Sequence, residues 1–176
     1  MKPLIFNSTP LIYLTKAGFS SIFENLQAEK LTSPTVKKEV VDQGKQRGIP
    51  DAVVLEKLFA KEVFKVCVPA EKKFLKRLLE TRGLHLADAE VLALAYENKG
   101  IAIVDDEVAR KTAKVYGVDY AGSPYVLMRA LHEGHISKAQ AKQAVKDMVS
   151  AGWRCNIESY AKIIDGLEKL KANDIS

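Results

Sequence analysis

Cysteine, histidine and long apolar runs are scarce in this chain of 176 residues, and each scarcity excludes a class of site. The two cysteines, Cys67 and Cys155, lack metal-ligand spacing, and the three histidines are too scattered for a metal triad. No apolar run approaches the roughly 18 residues of a membrane span. The apolar start ends at Asn7, which favours a strand over a signal peptide. We therefore expect reduced thiols and a cytoplasmic protein with no membrane span.

Internal boundaries are also missing. The chain has no repeat, no low-complexity segment and no linker rich in proline, glycine or serine. This predicts one domain over residues 1–176, with a core at about 3–125 and a C-terminal helical extension at about 126–176. A composition with 47% hydrophobic and 28% charged residues is typical of globular proteins, and the net charge of +5 slightly favours polyanionic partners.

Short apolar segments alternate with helical patterns, which indicates an α/β fold. Strands are predicted at residues 3–6, 64–68, 101–104 and 118–121, with a weaker one at 30–32. Such alternation favours a mostly parallel sheet with helices on both faces.

Capping residues predict several helix ends. Ser33 and Pro34 begin a helix that continues to Asp42 and stops at Gly44. Ser137 begins a helix over residues 138–150, and a last helix spans 158–171. Apolar stripes on the helices from Ser137 onward would offer a surface for a homodimer.

Polar side chains follow two of the predicted strands. The run 101–104 ends at Asp105 and Asp106, and the first strand ends at Asn7. Open α/β sheets bind ligands at the carboxyl ends of their strands, so these residues meet at one edge if the two strands are adjacent. The simpler interpretation is helix capping, by Asp105 or Asp106 in one loop and by Ser8 or Thr9 in the other. An ion pair of Asp106 with Arg110 is the remaining structural account.

Helical phase distinguishes the other acids. Asp88 begins the apolar stripe of Val91, Leu92 and Ala95, so it faces inward, where a carboxylate requires a partner or a metal. The alternative is a first-turn carboxylate stabilised by the helix dipole. Glu39 lies at the border between core and water, where a solvated side chain is the simpler interpretation.

One concavity that contained these acids would suit a metal ion. Several close carboxylates repel each other unless a cation neutralises them. Oxygen ligands without histidine or cysteine favour Mg²⁺ or Mn²⁺, and such ions activate water for phosphodiester hydrolysis.

Five motifs follow one another along the chain. They are Asn7-Ser8-Thr9-Pro10-Leu11-Ile12-Tyr13-Leu14-Thr15-Lys16-Ala17-Gly18, Ser33-Pro34-Thr35-Val36-Lys37-Lys38-Glu39-Val40, Leu86-Ala87-Asp88-Ala89-Glu90-Val91-Leu92-Ala93-Leu94-Ala95, Val104-Asp105-Asp106-Glu107-Val108-Ala109-Arg110 and Ala121-Gly122-Ser123. In this order they resemble the PIN domain family, in particular its uncharacterised prokaryotic branch related to the toxins of toxin–antitoxin pairs. The resemblance covers roughly residues 3–160.

The resemblance implies a three-layer α/β/α fold with a central, mostly parallel sheet of about five strands and extra C-terminal helices. It also implies a ribonuclease dependent on Mg²⁺ or Mn²⁺. Carried over by position, the catalytic residues are Asn7, Glu39, Asp88, and Asp105 or Asp106. Asp106 matches the metal-binding position better, which leaves Asp105 as the cap.

The first of these positions departs from the family pattern. Asn7 stands where most active members have aspartate, and its amide oxygen can bind a hard cation but contributes no charge. The alternative function is therefore a catalytically weakened or inactive module that binds nucleic acid or protein.

RNA is the partner that the resemblance implies, together with an antitoxin protein. Nucleic-acid contacts are expected from Ser8, Lys38, Arg110 and Ser123, the last at a helix N-terminus. Three basic runs, within residues 37–47, 72–77 and 110–114, would add salt-sensitive backbone contacts, or would simply be solvated helix faces.

Overall fold

A five-stranded parallel sheet forms the centre of the protein, for which a computed structural model describes residues 1–170. The strands are β1 (Leu4–Phe6), β2 (Lys30–Thr32), β3 (Lys65–Val66), β4 (Ile101–Ile103) and β5 (Asp119–Ala121). They pair in the order β3-β2-β1-β4-β5, and every pairing is parallel. The predicted α/β class and the five strands are therefore confirmed.

Helices connect the strands and continue after the last one. They are α1 (Ser8–Lys16), α2 (Ser21–Asn25), α3 (Pro34–Lys37), a π-helical segment (Lys38–Gln43), α4 (Gly44–Gln46), α5 (Pro50–Ala60), α6 (Lys72–Leu79), α7 (Leu86–Glu97), α8 (Glu107–Val115), α9 (Ser123–His132), α10 (Lys138–Ser150) and α11 (Ile157–Lys169). The predicted end of the last helix, Lys171, lies outside the described residues. No helix within 1–170 is long and apolar enough to cross a membrane.

The helix that begins after Ser33 does not stop at Gly44, so that prediction is wrong. Ser33 caps it as expected, since its Oγ accepts from the Val36 N–H at 3.2 Å, but the helical path continues to Gln46. Gly44 has an ordinary helical φ of −62°, and a Cβ at this position would lie 2.8 Å from the Ala52 Cβ. Gly44 therefore permits close packing of α4 against α5 and does not end a helix.

The order of the strands reverses between β1 and β4. From β1 the chain passes to β2 and β3 on one side, and then returns across β1 to β4 and β5 on the other. Right-handed crossovers place the helices of the two halves on opposite faces of the sheet. The crevice at such a reversal is where open α/β sheets bind ligands.

The register of β1 and β4 places the candidate residues at this crevice. Phe6 lies opposite Ile103, and the Asn7 N–H donates to the Ile103 carbonyl at 3.1 Å. Asn7 and residues 104–106 therefore leave the sheet side by side. Helix α7, which carries Asp88, packs against β1 and β4 with α6 and α8 beside it. The buried apolar side chains form one cluster that extends from Leu4 to Leu167.

Candidate active site

Asn7 connects the end of β1 to the start of α1. Its Oδ1 accepts a hydrogen bond from the Ser8 N–H at 2.8 Å, so Asn7 is the N-cap in place of the predicted Ser8 or Thr9. Its Nδ2 donates to Asp88 Oδ1 at 2.6 Å. These two neighbours fix the orientation of the amide. If the amide were flipped, its NH₂ group would face the Ser8 N–H and its oxygen would face the Asp88 carboxylate. Asn7 therefore gives Asp88 a hydrogen-bond donor where aspartate would give it a second carboxylate.

Asp88 is a buried carboxylate in the first turn of α7, with 5% of its surface exposed. Its Oδ2 accepts from the His85 N–H at 3.1 Å. Burial raises the pKa of Asp88 above its ordinary value, the hydrogen bonds from His85 and Asn7 oppose this, and the charge of Asp106 raises it further. Asp88 therefore stabilises the start of α7 and also faces inward. The two interpretations of its sequence position, as a first-turn carboxylate and as an inward-facing acid, thus both apply.

Glu39 lies in the π-helical segment and accepts a hydrogen bond from the Ser8 hydroxyl. It is half-buried, so it is not simply solvated. π-Helical turns are rare and occur frequently at functional sites. The consecutive residues Asn7 and Ser8 thus connect α1 to the two acids on neighbouring elements, Asp88 and Glu39.

Asp105 is surrounded by donors from other parts of the chain. It accepts from the Ser123 N–H at 2.8 Å, from the Ser123 hydroxyl, and from Trp153 Nε1 at 3.0 Å. Arg110 forms an ion pair with it at 3.6 Å, and only 8% of the Asp105 side chain is exposed. These contacts hold the end of β4 to the start of α9 and to the segment that follows α10. They also show that Arg110 pairs with Asp105 and not with Asp106.

Asp106 is the N-cap of α8, which corrects the assignment of the cap to Asp105. Its Oδ1 accepts from the Ala109 N–H at 2.9 Å. The residue is exposed, and within residues 1–170 its Oδ2 has no hydrogen bond. Asp106 is therefore the accessible carboxylate at the end of β4.

A cavity of about 1090 Å³ opens beside Asp106. Its walls come from the β4–α8 and β5–α9 connections, the start of α11 and the segment before it. The lining includes Asp105, Asp106, Arg110, Tyr120, Tyr125 and Trp153. Asn7, Glu39 and Asp88 do not line it. Asp106 therefore lines the cavity, and its charge also contributes to the raised pKa of Asp88.

The described residues contain no group of three or more His, Cys, Asp or Glu side chains placed to hold a metal ion. Residue 7 is an amide and not a carboxylate, and Asp105 accepts hydrogen bonds from Ser123 and Trp153. Asp88 and Asp106 remain as an interacting pair of oxygen donors, which is the ligand chemistry of a hard cation. The metal set of Asn7, Glu39, Asp88 and Asp106 stays a prediction.

The residues predicted to contact nucleic acid lie in different environments. Lys38 is exposed, whereas Ser8 donates its hydroxyl to Glu39 and Arg110 donates its Nε to the Val104 carbonyl at 3.0 Å. Ser123 is fully buried, and its N–H and hydroxyl both donate to Asp105. The position of Ser123 therefore does not support the predicted phosphate contact.

The sequence of this chain matches a known protein family. A family model described as PIN domain matches residues 3–169. The chain belongs to the PIN domain family. The predicted resemblance is thus confirmed, and the parallel sheet is consistent with a PIN-like fold.

One relative has a described activity. Endoribonuclease Nob1 of Pyrococcus abyssi (strain GE5 / Orsay) is 32% identical to this chain over 102 residues, which is 57% of this chain and 63% of the relative. The chain thus spans less than two thirds of the length of that relative. The family match and this relative together indicate that the PIN domain of this chain belongs to a family of nucleases.

Trp153 is the residue at this edge that the sequence did not indicate. A tryptophan is by default expected to pack in the core, and the side chain of Trp153 is indeed mostly buried. Its indole N–H nevertheless donates to Asp105, which lies 48 residues earlier in the chain. No local pattern predicts such a contact.

Burial of Asp88 predicts a specific pH dependence of stability. Its raised pKa means that the folded protein takes up a proton at a pH at which the unfolded chain, with a value near 3.8, does not. The stability of the native chain relative to Asp88→Asn is therefore expected to rise as the pH falls through the raised pKa, and to level off below 3.8.

Urea denaturation of both proteins in EDTA, from about pH 7 down to about pH 4, measures this difference. A relative stability that falls on acidification would contradict it. That result would show that the hydrogen bonds from His85 and Asn7 outweigh burial.

Proposed function

We propose that this chain is a ribonuclease that hydrolyses RNA phosphodiester bonds with Mg²⁺ or Mn²⁺ at the edge formed by Asp88 and Asp106. The observation that supports this is the buried carboxylate of Asp88 within electrostatic reach of the accessible carboxylate of Asp106. Both lie at the reversal of strand order, where ligands bind in this class of sheet. The PIN domain match and the endoribonuclease relative favour RNA as the substrate.

The chemistry of these residues fits a hard divalent cation. Asp88 and Asp106 would hold it through carboxylate oxygens, and Glu39 is a further candidate because it accepts a hydrogen bond from Ser8, the neighbour of Asn7. When bound, the cation supplies Lewis acidity that lowers the pKa of water and stabilises charge on the phosphoryl group.

The protein's own residues would orient these acids. The Asn7 amide and the His85 N–H each donate to a different oxygen of Asp88, which fixes the rotation of its carboxyl group. The Ser8 hydroxyl does the same for one oxygen of Glu39. Asp106 is held by its capping hydrogen bond and leaves its second oxygen accessible. Fixed ligands of this kind reduce the reorganisation that binding requires.

A second function, a weakened or inactive module that binds RNA or protein, is favoured by one specific contact. The Asn7 amide donates directly to Asp88 and so stabilises this carboxylate without a cation. The more completely that donor satisfies Asp88, the weaker is the affinity for a metal.

Cleavage of a labelled single-stranded RNA by the purified chain is the direct test. We expect cleavage in Mn²⁺ or Mg²⁺ that is lost in EDTA and is strongly reduced in Asp88→Asn, because this substitution removes the buried negative charge. Cleavage that persists in both controls would reject the proposed site. Its absence in the folded native chain would favour the binding module.

Asn7→Asp distinguishes the two functions. It replaces the donor 2.6 Å from Asp88 with a carboxylate, so we expect a lower thermal midpoint in EDTA and a larger rise on addition of Mn²⁺ than in the native chain. Metal affinity is expected to increase on the order of 10- to 100-fold, as for other changes in the surroundings of a metal site. Asn25→Asp, on an exposed part of α2, adds the same charge and serves as the matched control. Equal metal responses of the two variants would contradict a role for residue 7.

We further propose that this chain is the toxin of a toxin–antitoxin pair and that it forms a homodimer. Ile157 at the start of α11 is 89% exposed, and Val149 near the end of α10 is 38% exposed, so both are available for contact with a second copy. Light scattering is expected to give twice the mass of the chain. A monomeric mass at every concentration tested would exclude the homodimer.

A further inference from the structure

The outer face of α6 is strongly basic. Three apolar side chains of this helix, Phe74, Leu75 and Leu78, pack inward. The cations Lys72, Lys73, Lys76 and Arg77 are exposed on the opposite face, and Arg82 follows in the next loop. In the part of the chain that the structure describes, none of these five side chains makes an ion pair or a hydrogen bond. We call these five residues the α6 cation face.

The other basic runs are partly neutralised by neighbouring acids. Lys45 pairs with Glu56 at 2.7 Å, and Lys111 pairs with Glu107 at 2.6 Å. Arg110 lies 3.6 Å from Asp105. The three runs have similar composition, but only that of α6 leaves every cation free of such contacts within the described residues. Unpaired cations on one helix face form the electrostatic pattern typical of a surface that binds polyanions.

Because α6 packs against α7, the α6 cation face extends toward the candidate active site. Helix α6 packs against α7, and Phe74 contacts Tyr96 with ring centroids 4.6 Å apart. The Glu71 N–H, just before α6, donates to Glu97 at the end of α7 at 2.8 Å. The start of α6 therefore lies at the far end of α7, and α6 runs antiparallel to α7 toward the first turn of α7, which contains Asp88.

The loop after α6 extends this path toward α8. A Cβ at Gly83 would lie 3.7 Å from Val108 Cγ2, so the loop lies beside the first turn of the helix that Asp106 caps. Arg82 is the neighbour of Gly83 in this loop. The cation face therefore extends from Lys72 along α6 to the edge where Asp88 and Asp106 lie.

We propose that the α6 cation face binds the phosphate backbone of the RNA and leads the strand to Asp88 and Asp106; this rests on the proposed function. Residues three or four apart on a helix, such as Lys73, Lys76 and Arg77, have Cβ atoms about 5–6 Å apart and form a continuous row of charge. Backbone contacts of this kind require charge and no base recognition, so the binding is sensitive to salt and tolerant of sequence. Continuity with the acidic edge favours RNA over an acidic protein.

The test compares two triple variants with equal change in charge. One is Lys73→Gln with Lys76→Gln and Arg77→Gln. The control is Lys57→Gln with Lys99→Gln and Lys146→Gln, three exposed lysines without ion pairs within residues 1–170. Fluorescence anisotropy of a labelled single-stranded RNA, measured in EDTA over a series of salt concentrations, gives the affinity without cleavage. Circular dichroism checks that both variants are folded.

Each outcome decides the proposal. Loss of three phosphate contacts lowers the slope of log affinity against log salt by about 2, and we expect this only in the α6 variant. Equal effects in both variants would show a response to net charge and would overturn the proposal. Native protein that binds no RNA would also overturn it and favour an anionic protein as the partner. Failure of the proposed ribonuclease function is a separate result, namely intact binding without cleavage in metal.

Discussion

The contact between Asn7 and Asp88 joins the sheet, the helices and the candidate chemistry. A carboxylate as buried as Asp88 requires hydrogen-bond donors, and it receives one from the end of β1 and one from the start of α7. Because Asn7 also caps α1, a single side chain fixes the helix on each side of the crevice. The approach of Asp106 to Asp88 depends on this arrangement, since α7 packs across β1 and β4. Removal of either partner would leave an unpaired polar group in the core.

The same contact is expected to stabilise the fold and to lower the affinity of Asp88 for a metal ion. An aspartate at residue 7 would place a second negative charge beside Asp88, and that pair would depend on a cation for its stability. The amide instead gives Asp88 a donor that belongs to the chain, so this buried carboxylate has a hydrogen-bond partner without a cation. A cation that binds at Asp88 must then compete with a hydrogen bond of 2.6 Å. The identity of residue 7 thus determines how strongly folding and metal binding are coupled.

Local patterns predicted the features that depend on local physics. Apolar runs located all five strands, and helical phase placed Asp88 on an inward face. The prediction for Gly44 failed for a different reason. Gly44 continues the helix and packs closely against Ala52, a contact that the local sequence does not show. The burial of Ser123 likewise follows from its contacts with Asp105, which lies 18 residues earlier in the chain. The cap at Asp106 shows the limit of local reasoning, because two adjacent aspartates are equally good caps until the chain direction after β4 is known.

The two aspartates after β4 illustrate how the site divides its charges. Successive residues that leave a strand point in different directions, so Asp105 contacts Ser123 and Trp153 while Asp106 stays accessible. Negative charge is thereby concentrated at the crevice, whereas the cations of α6, which make no ion pair within residues 1–170, form a separate basic face. A phosphate backbone is attracted by the positive charge of α6. It is repelled by the negative charge of the crevice unless a cation is bound there. If RNA is the ligand, its retention and its cleavage therefore depend on different residues, and loss of one does not require loss of the other.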